Sequence, residues 1–199
     1  MKDRTRPDAT AAADIDRSLI RAIAAGRQQA LADLVARHGL GLTAFARRYL
    51  GGSREEAEDI VQEVFLTVWR KADRFDPERG QVTTWLYRIT VNRCIDLRRK
   101  NALLRLIGLD SAAAEPVADV PDAETEIAAR SELVQAKAGI CKLPQRQRMA
   151  LLLRAVADLD IPAIAEVMGT SSGSVEQLLV RARRSLRDHM AQQGKGPKR

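Results

Sequence analysis

The chain has 199 residues, of which 45% are hydrophobic and 30% charged, with a formal net charge of +7. That balance fits one or two small soluble domains, and no apolar run approaches the roughly 20 residues that a bilayer-crossing helix needs. The positive surplus suits a polyanionic partner without identifying one. Cys94 and Cys141 stand far apart with no CxxC partner and no nearby histidine cluster. No metal or other cofactor is therefore expected, and both thiols are expected reduced. The polar amino terminus lacks the apolar core of a signal peptide, so a cytoplasmic protein is expected.

In chain order, residues 1–13 are polar and expected to be disordered. From Ile15 to Leu50, Leu19, Ile20, Ile23, Leu31, Leu34, Val35, Leu42, Phe45, Ala46 and Tyr49 recur at helical spacing, predicting two helices with a break near Gly26. Gly51-Gly52-Ser53 is a stop. Ser53 can cap a third helix running to about Ala72, with Glu55 and Glu56 at the positive end of its dipole. After the loop from Arg74 to Gln81, a further helix is predicted from Val82 to about Lys100. Between Leu106 and Ala129 the composition turns acidic, with Asp110, Glu115, Asp119, Asp122, Glu124 and Glu126 and no Lys or Arg. This segment reads as a flexible acidic linker over 106–128, joining helical domains at 14–105 and 129–191. No stretch shows the alternation of a half-buried strand, so the expected fold class is all-α.

The second domain carries the clearest local pattern. Ile161, Ile164, Ala165 and Met168 give a short helix one buried stripe, Pro162 fits its first turn, and Gly169 can end it at positive φ. Ser172 or Ser174 can cap the next helix, whose inward stripe is Val175, Leu178, Leu179, Ala182 and Leu186. That is a helix-turn-helix pattern, the unit that places one helix in the DNA major groove. Gly173, Gln177, Val180, Arg181 and Arg184 turn outward. Gln can read adenine, and Arg can read guanine or bind phosphate. The plain alternative is a surface helix with a solvated basic face.

Basic residues gather in two blocks, Arg88 to Arg105 and Arg181 to Arg199, which suggests two contacts with nucleic acid. In the third helix Asp59, Gln62, Glu63, Leu66 and Arg70 share one face, opposite Ile60, Val61, Val64, Phe65 and Val68. A leucine inside a polar stripe suits docking to a basic protein surface, but a solvated face fits the spacing equally. In the segment FDPERGQVTTWLYRITVNRCIDLRRK, Trp85 and Tyr87 can stack on unpaired bases, while Arg88, Asn92 and Arg93 can bind base edges or phosphate. Trp85 is expected to have a mixed role, partly buried against the helix from Ser53, and the loop Pro77 to Val82 to contact a base held out of its stack. His38 and His189 lie in unrelated segments, with no nucleophile–base pair, paired acids or phosphate loop. No catalytic residue and no small-molecule substrate are expected, and His38 reads as an ordinary helix-end residue.

Three pieces, AEDIVQEVFLTVWRKADRFDPERG, TTWLYRITVNRCIDLRRK and LPQRQRMALLLRAVADLDIPAIAEVMGTS…RARRSLR, taken in order, resemble the extracytoplasmic-function sigma factors of the sigma-seventy superfamily. The resemblance covers nearly everything from Asp14 to Met190. It implies that Asp59, Gln62, Glu63 and Leu66 meet the clamp of the RNA polymerase largest subunit. It implies that Asp76, Pro77, Glu78, Arg79, Gly80, Gln81 and Val82 hold a flipped base of the melted minus-ten element. Trp85, Tyr87, Arg88, Asn92 and Arg93 would support the DNA there, and the linker would thread the polymerase cleft. The second domain would touch the polymerase flap and read the minus-thirty-five element through Ser172, Gly173, Ser174, Glu176, Gln177, Val180, Arg181 and Arg184. An anti-sigma factor is the further partner it implies, and polymerase would bring the protein to the nucleoid. The chain departs from the family at Glu176-Gln177-Leu178, where relatives commonly carry a basic residue, Ser and Arg, so a relative's minus-thirty-five sequence does not transfer. A stand-alone helix-turn-helix regulator binding duplex DNA is the alternative reading.

Overall fold

The computed structural model describes residues 6–76, 80–106 and 135–193, and among them every regular element is helical. The acidic linker read over 106–128 lies, apart from Leu106, outside the described residues. The first domain comprises α1 (Arg6–Ala24), α2 (Gln28–Leu50), α3 (Arg54–Lys71), a 3-10 turn (Ala72–Arg74) and α4 (Val82–Leu106). The second comprises α5 (135–142), α6 (Gln145–Ala155), α7 (Ile161–Met168) and α8 (Ser172–Gln193).

Local chemistry sets the helix boundaries. Gly26 takes φ 79° between α1 and α2, as the break in the apolar pattern requires. Gly51 ends α2 in the left-handed region, and both Gly51 and Gly52 donate to the Arg47 carbonyl. Ser53 then caps α3, its hydroxyl accepting the Glu56 N–H at 3.2 Å. The stripes meet in one core: Leu34, Leu42, Phe45 and Tyr49 from α2, Ile60, Val64, Phe65 and Val68 from α3, and Leu86, Val91 and Cys94 from α4. Fully burying one such aliphatic side chain is worth about 1.5–3 kcal/mol. In the second domain α6, α7 and α8 pack on one another, and α5 lies against the far end of α8. Gly139 permits that approach, since a Cβ there would stand 2.6 Å from Leu186 Cδ1 and 2.8 Å from His189 Cδ2.

Several expectations are corrected. The chain is helical from Arg6, although residues 1–13 read as disordered. The cause is tertiary. Asp16 is buried and accepts from Arg37 Nε at 2.7 Å and His38 Nε2 at 2.9 Å, while Arg37 also donates to the Ala12 carbonyl. These bonds fix α1 on α2, and the alanine-rich stretch before them extends the helix backwards. His38 is not at a helix end: α2 runs through Gly39 and Gly41, and His38 serves that clamp. The helix from Val82 continues past Lys100 to Leu106.

Burial opposes the charge on Asp16, but the hydrogen bonds and charges of His38 and Arg37 outweigh it and hold its carboxyl below the usual value of 3.8. A lowered folded-state pKa contributes stability that is complete above the unfolded value and lost as pH falls through the folded one. Asp16→Asn should therefore lower unfolding free energy by about 2 kcal/mol at neutral pH. The difference from wild type should shrink below about pH 4, as read by urea titrations across pH.

Candidate nucleic-acid and polymerase interface

The two faces of α3 separate cleanly. Its apolar stripe is in the core, while Asp59, Gln62, Glu63, Leu66 and Arg70 are exposed. Leu66 is 52% exposed, a large apolar side chain left in water among polar neighbours. Beside this stripe runs the outer face of α4, where Arg88, Asn92 and Arg93 are exposed. One ion pair joins the faces: Arg93 Nη1 stands 3.4 Å from Glu63 Oε2, and Arg93 Nη2 donates to Thr67 Oγ1. Both partners are solvated, so the pair is worth under about 1 kcal/mol and can exchange for other partners.

The loop between the 3-10 turn and α4 is anchored by Phe75, whose ring centroid lies 4.9 Å from that of Trp85. Asp76 and Gln81 are exposed and Gly80 is half-buried, whereas Pro77, Glu78 and Arg79 lie outside the described residues. Trp85 is half-buried, and its aromatic neighbour is Phe75. Phe75 received no role from the sequence; an aromatic in a polar loop was the available signal. Two expected surface residues are internal. Val82 is buried, and Tyr87 is 5% exposed, its ring edge-on to Phe45 at 5.6 Å. Burial pushes the Tyr87 hydroxyl up to about 12. Tyr87 is thus a core residue here, with no free face for a base to stack on. It sits over Gly41, where a Cβ would come within 3.2 Å of its hydroxyl. Burial also pushes the Cys94 thiol up to about 12, which makes it a poor nucleophile.

The helix-turn-helix is built as a sharp, doubly capped corner. Asp160 caps α7 by accepting the Ala163 N–H at 2.9 Å, and Pro162 stands in the first turn. Gly169 closes α7 at φ 58°. The next cap is Ser171, not Ser172 or Ser174: its hydroxyl accepts the Ser174 N–H at 3.3 Å, and its carbonyl receives the Val175 N–H. Val175, Leu179 and Ala182 are buried, while Ser172, Gly173, Glu176, Gln177, Val180, Arg181 and Arg184 are exposed along α8. Ser174 is half-buried within the capping turn, and Leu178 is half-buried against the core. Of Glu176, Gln177 and Leu178, only the first two therefore lie on the exposed stripe. The exposed face is one helix wide, with amide, guanidinium and methyl groups in a row, which is what major-groove reading uses.

Comparison with known proteins agrees with this architecture. Residues 34–103 match the family model for sigma-70 region 2, and residues 133–186 match that for sigma-70 region 4. The chain is 35% identical over 179 residues to the RNA polymerase sigma factor CnrH of Cupriavidus metallidurans, covering 87% of this chain and 93% of that protein. It is 32% identical over 180 residues to the extracytoplasmic-function sigma factor SigW of Bacillus subtilis, covering 86% and 94%. Among solved structures, CnrH in complex with the cytosolic domain of CnrY matches with a TM-score of 0.68 at 31% identity, covering 92% of this chain and 99% of that one. The sigma factor RpoE of Bartonella quintana, in complex with the anti-sigma factor NepR, matches with a TM-score of 0.64 at 25% identity, covering 80% and 97%. A region-2 domain followed by a region-4 domain, spanning nearly the full length of such relatives, places the chain in the extracytoplasmic-function group of sigma-70 RNA polymerase sigma factors.

Proposed function

We propose that this protein is an alternative sigma factor that binds core RNA polymerase in the cytoplasm and directs it to its own set of promoters. The observation that carries this reading is the exposed Leu66 within the Asp59–Gln62–Glu63 stripe of α3, set beside the Arg88–Asn92–Arg93 face of α4. An apolar anchor ringed by acids is a protein-docking surface for a basic partner, and next to it lies a surface suited to single-stranded nucleic acid. A stand-alone duplex-binding regulator needs neither. In this reading α3 docks on the polymerase clamp, and the loop from Asp76 to Gln81 together with Arg88, Asn92 and Arg93 receives the melted minus-ten strand. The exposed stripe of α8 reads the minus-thirty-five duplex. Residues 14–105 and 129–191 act as the two domains and 106–128 as the tether, and polymerase carries the assembly to the nucleoid. By likeness to RpoE, solved in complex with the anti-sigma factor NepR, an anti-sigma protein is the expected restraint.

Leu66→Asp should weaken binding to core polymerase about thirtyfold, the effect of losing a buried apolar anchor. Leu66 is exposed in the free chain, so the melting temperature should hold. Fluorescence anisotropy against sigma-free core reads the first and calorimetry the second. Unchanged polymerase affinity, joined to tight operator binding by the protein alone, would favour the regulator instead.

The α8 stripe yields a separate expectation. Arg184→Ala should lower affinity for minus-thirty-five duplex and reduce the slope of log affinity against log salt by about one. Glu176→Gln should raise affinity several-fold through lost phosphate repulsion, about 1 kcal/mol. Both are read by titrating the holoenzyme with promoter duplex at several salt concentrations.

A further inference from the structure

The first turn of α6 stands beside the later half of α4, and Tyr49 at the end of α2 holds it there. The Tyr49 hydroxyl accepts a hydrogen bond from Gln145 Nε2 at 2.7 Å, and its carbonyl accepts one from Arg148 Nη1 at 3.2 Å. Arg148 also donates to the carbonyls of Cys141 and Leu143. Between these helices lies a cleft of about 430 Å³, a size within the roughly 300–1,000 Å³ of small-molecule sites. Ile95, Arg98 and Arg99 line it from α4, offset by three and four residues and hence on one face. Arg146 and Met149 line it from α6, and Met168 from the end of α7.

The walls of the cleft carry charge of one sign. Among the described residues, no carboxylate lines it, and Arg98, Arg99 and Arg146 have no ion-pair partner. The Arg98 guanidinium lies 5.6 Å from the Tyr49 ring centroid, and its Nη1 is buried without a hydrogen-bond partner. Burial, and then the charge of Arg98, hold the neighbouring Arg148 guanidinium below its usual range. The start of α6 adds to this charge. No side chain caps that end, and its first turn holds no acid. The positive pole of a helix dipole and its free N–H groups favour an anion there and disfavour an arginine such as Arg146. Like charges gathered this closely repel one another, and a bound anion would offset that repulsion.

The floor is apolar. Met149 is buried, while Ile95 and Met168 are half-buried. Thioether side chains adapt to the shape of what they touch and make favourable contacts with aromatic rings. Guanidinium forks match phosphate oxygens two at a time, and three of them suit a group with more than one negative charge. A cationic rim over an apolar floor therefore fits a diphosphate joined to a flat ring better than it fits a simple anion.

We propose that this cleft binds a nucleoside diphosphate, with the phosphates held by Arg98, Arg99, Arg146 and the start of α6, and the base laid on Ile95, Met149 and Met168. Binding here needs neither polymerase nor promoter, so a failure of this site would leave the sigma-factor reading untouched.

Titration calorimetry of the full chain, with adenosine diphosphate and separately with inorganic pyrophosphate as the probes, tests the site. Adenosine diphosphate should bind saturably with one site per chain, about tenfold more tightly than pyrophosphate, because only the nucleotide covers the floor. Arg99→Ala and Arg146→Ala should each weaken it about tenfold through a lost charged hydrogen bond. Both side chains are exposed, so the melting temperatures without ligand should match wild type. Arg21→Ala, which removes an exposed cation from α1 instead, should leave the affinity unchanged. No saturable binding of adenosine diphosphate up to about 1 mM would overturn the site. Equal weakening by all three substitutions would also overturn it, since that is general attraction to a basic chain. Pyrophosphate binding as tightly as the nucleotide would overturn the assignment of the floor to a base.

Discussion

The carboxy-terminal turn of α2 is where this structure is pinned. Phe45 and Tyr49 are buried there with their rings nearly parallel, and Tyr87 of α4 meets Phe45 edge-on. Those aromatic contacts set how α4 crosses α2. Gly51 and Ser53 then turn the chain so that α3 packs its apolar stripe against both. With α2, α3 and α4 fixed, the acidic stripe around Leu66 and the basic face around Arg88 have no freedom to move apart. The outer rim of the same turn receives Gln145 and Arg148 from the second domain. A single helix end thus positions the Leu66 face of α3, the Arg88 face of α4 and the seam between the domains.

Charge is distributed to match those roles. Basic residues cluster on α4, from Arg88 to Arg105, and on α8, from Arg181 to Arg187, the two helices with faces suited to nucleic acid, whereas α3 carries a surplus of acids. The Glu63–Arg93 pair is the one place where these surfaces touch among the ion pairs described. Its solvation makes it cheap to exchange, so an incoming basic protein surface at Glu63 would release Arg93 toward a phosphate. Glu176 and Gln177 on α8 show a different adjustment. They leave guanidinium groups at Arg181 and Arg184 on the exposed stripe, farther along the helix.

Much of this was legible in the chain because it is decided within one or two helical turns. The α3 stripes, the Ser53 cap, the Gly169 corner and the outward set on α8 all depend on neighbours three or four residues away. Residues whose fate depends on distant partners read poorly. Asp16 meets Arg37 across 21 residues and turns a polar amino terminus into a helix. Tyr87 carried the composition of a base-stacking residue, yet the approach of α2 at Gly41 leaves it inside. Ser171 displaced Ser172 as the cap because a run of serines offers several equivalent oxygens to one set of free N–H groups. The Arg148–Tyr49 bond spans 99 residues across a change of domain, and no periodicity encodes it.

Transcription from fragmented DNA of the source genome, by sigma-free bacterial core polymerase with and without this protein, tests the central claim most directly. A promoter-selecting subunit should produce discrete start sites that appear only when it is present, sharing sequence elements near minus ten and minus thirty-five. Absence of such starts, from a protein that binds duplex DNA on its own, would contradict that role.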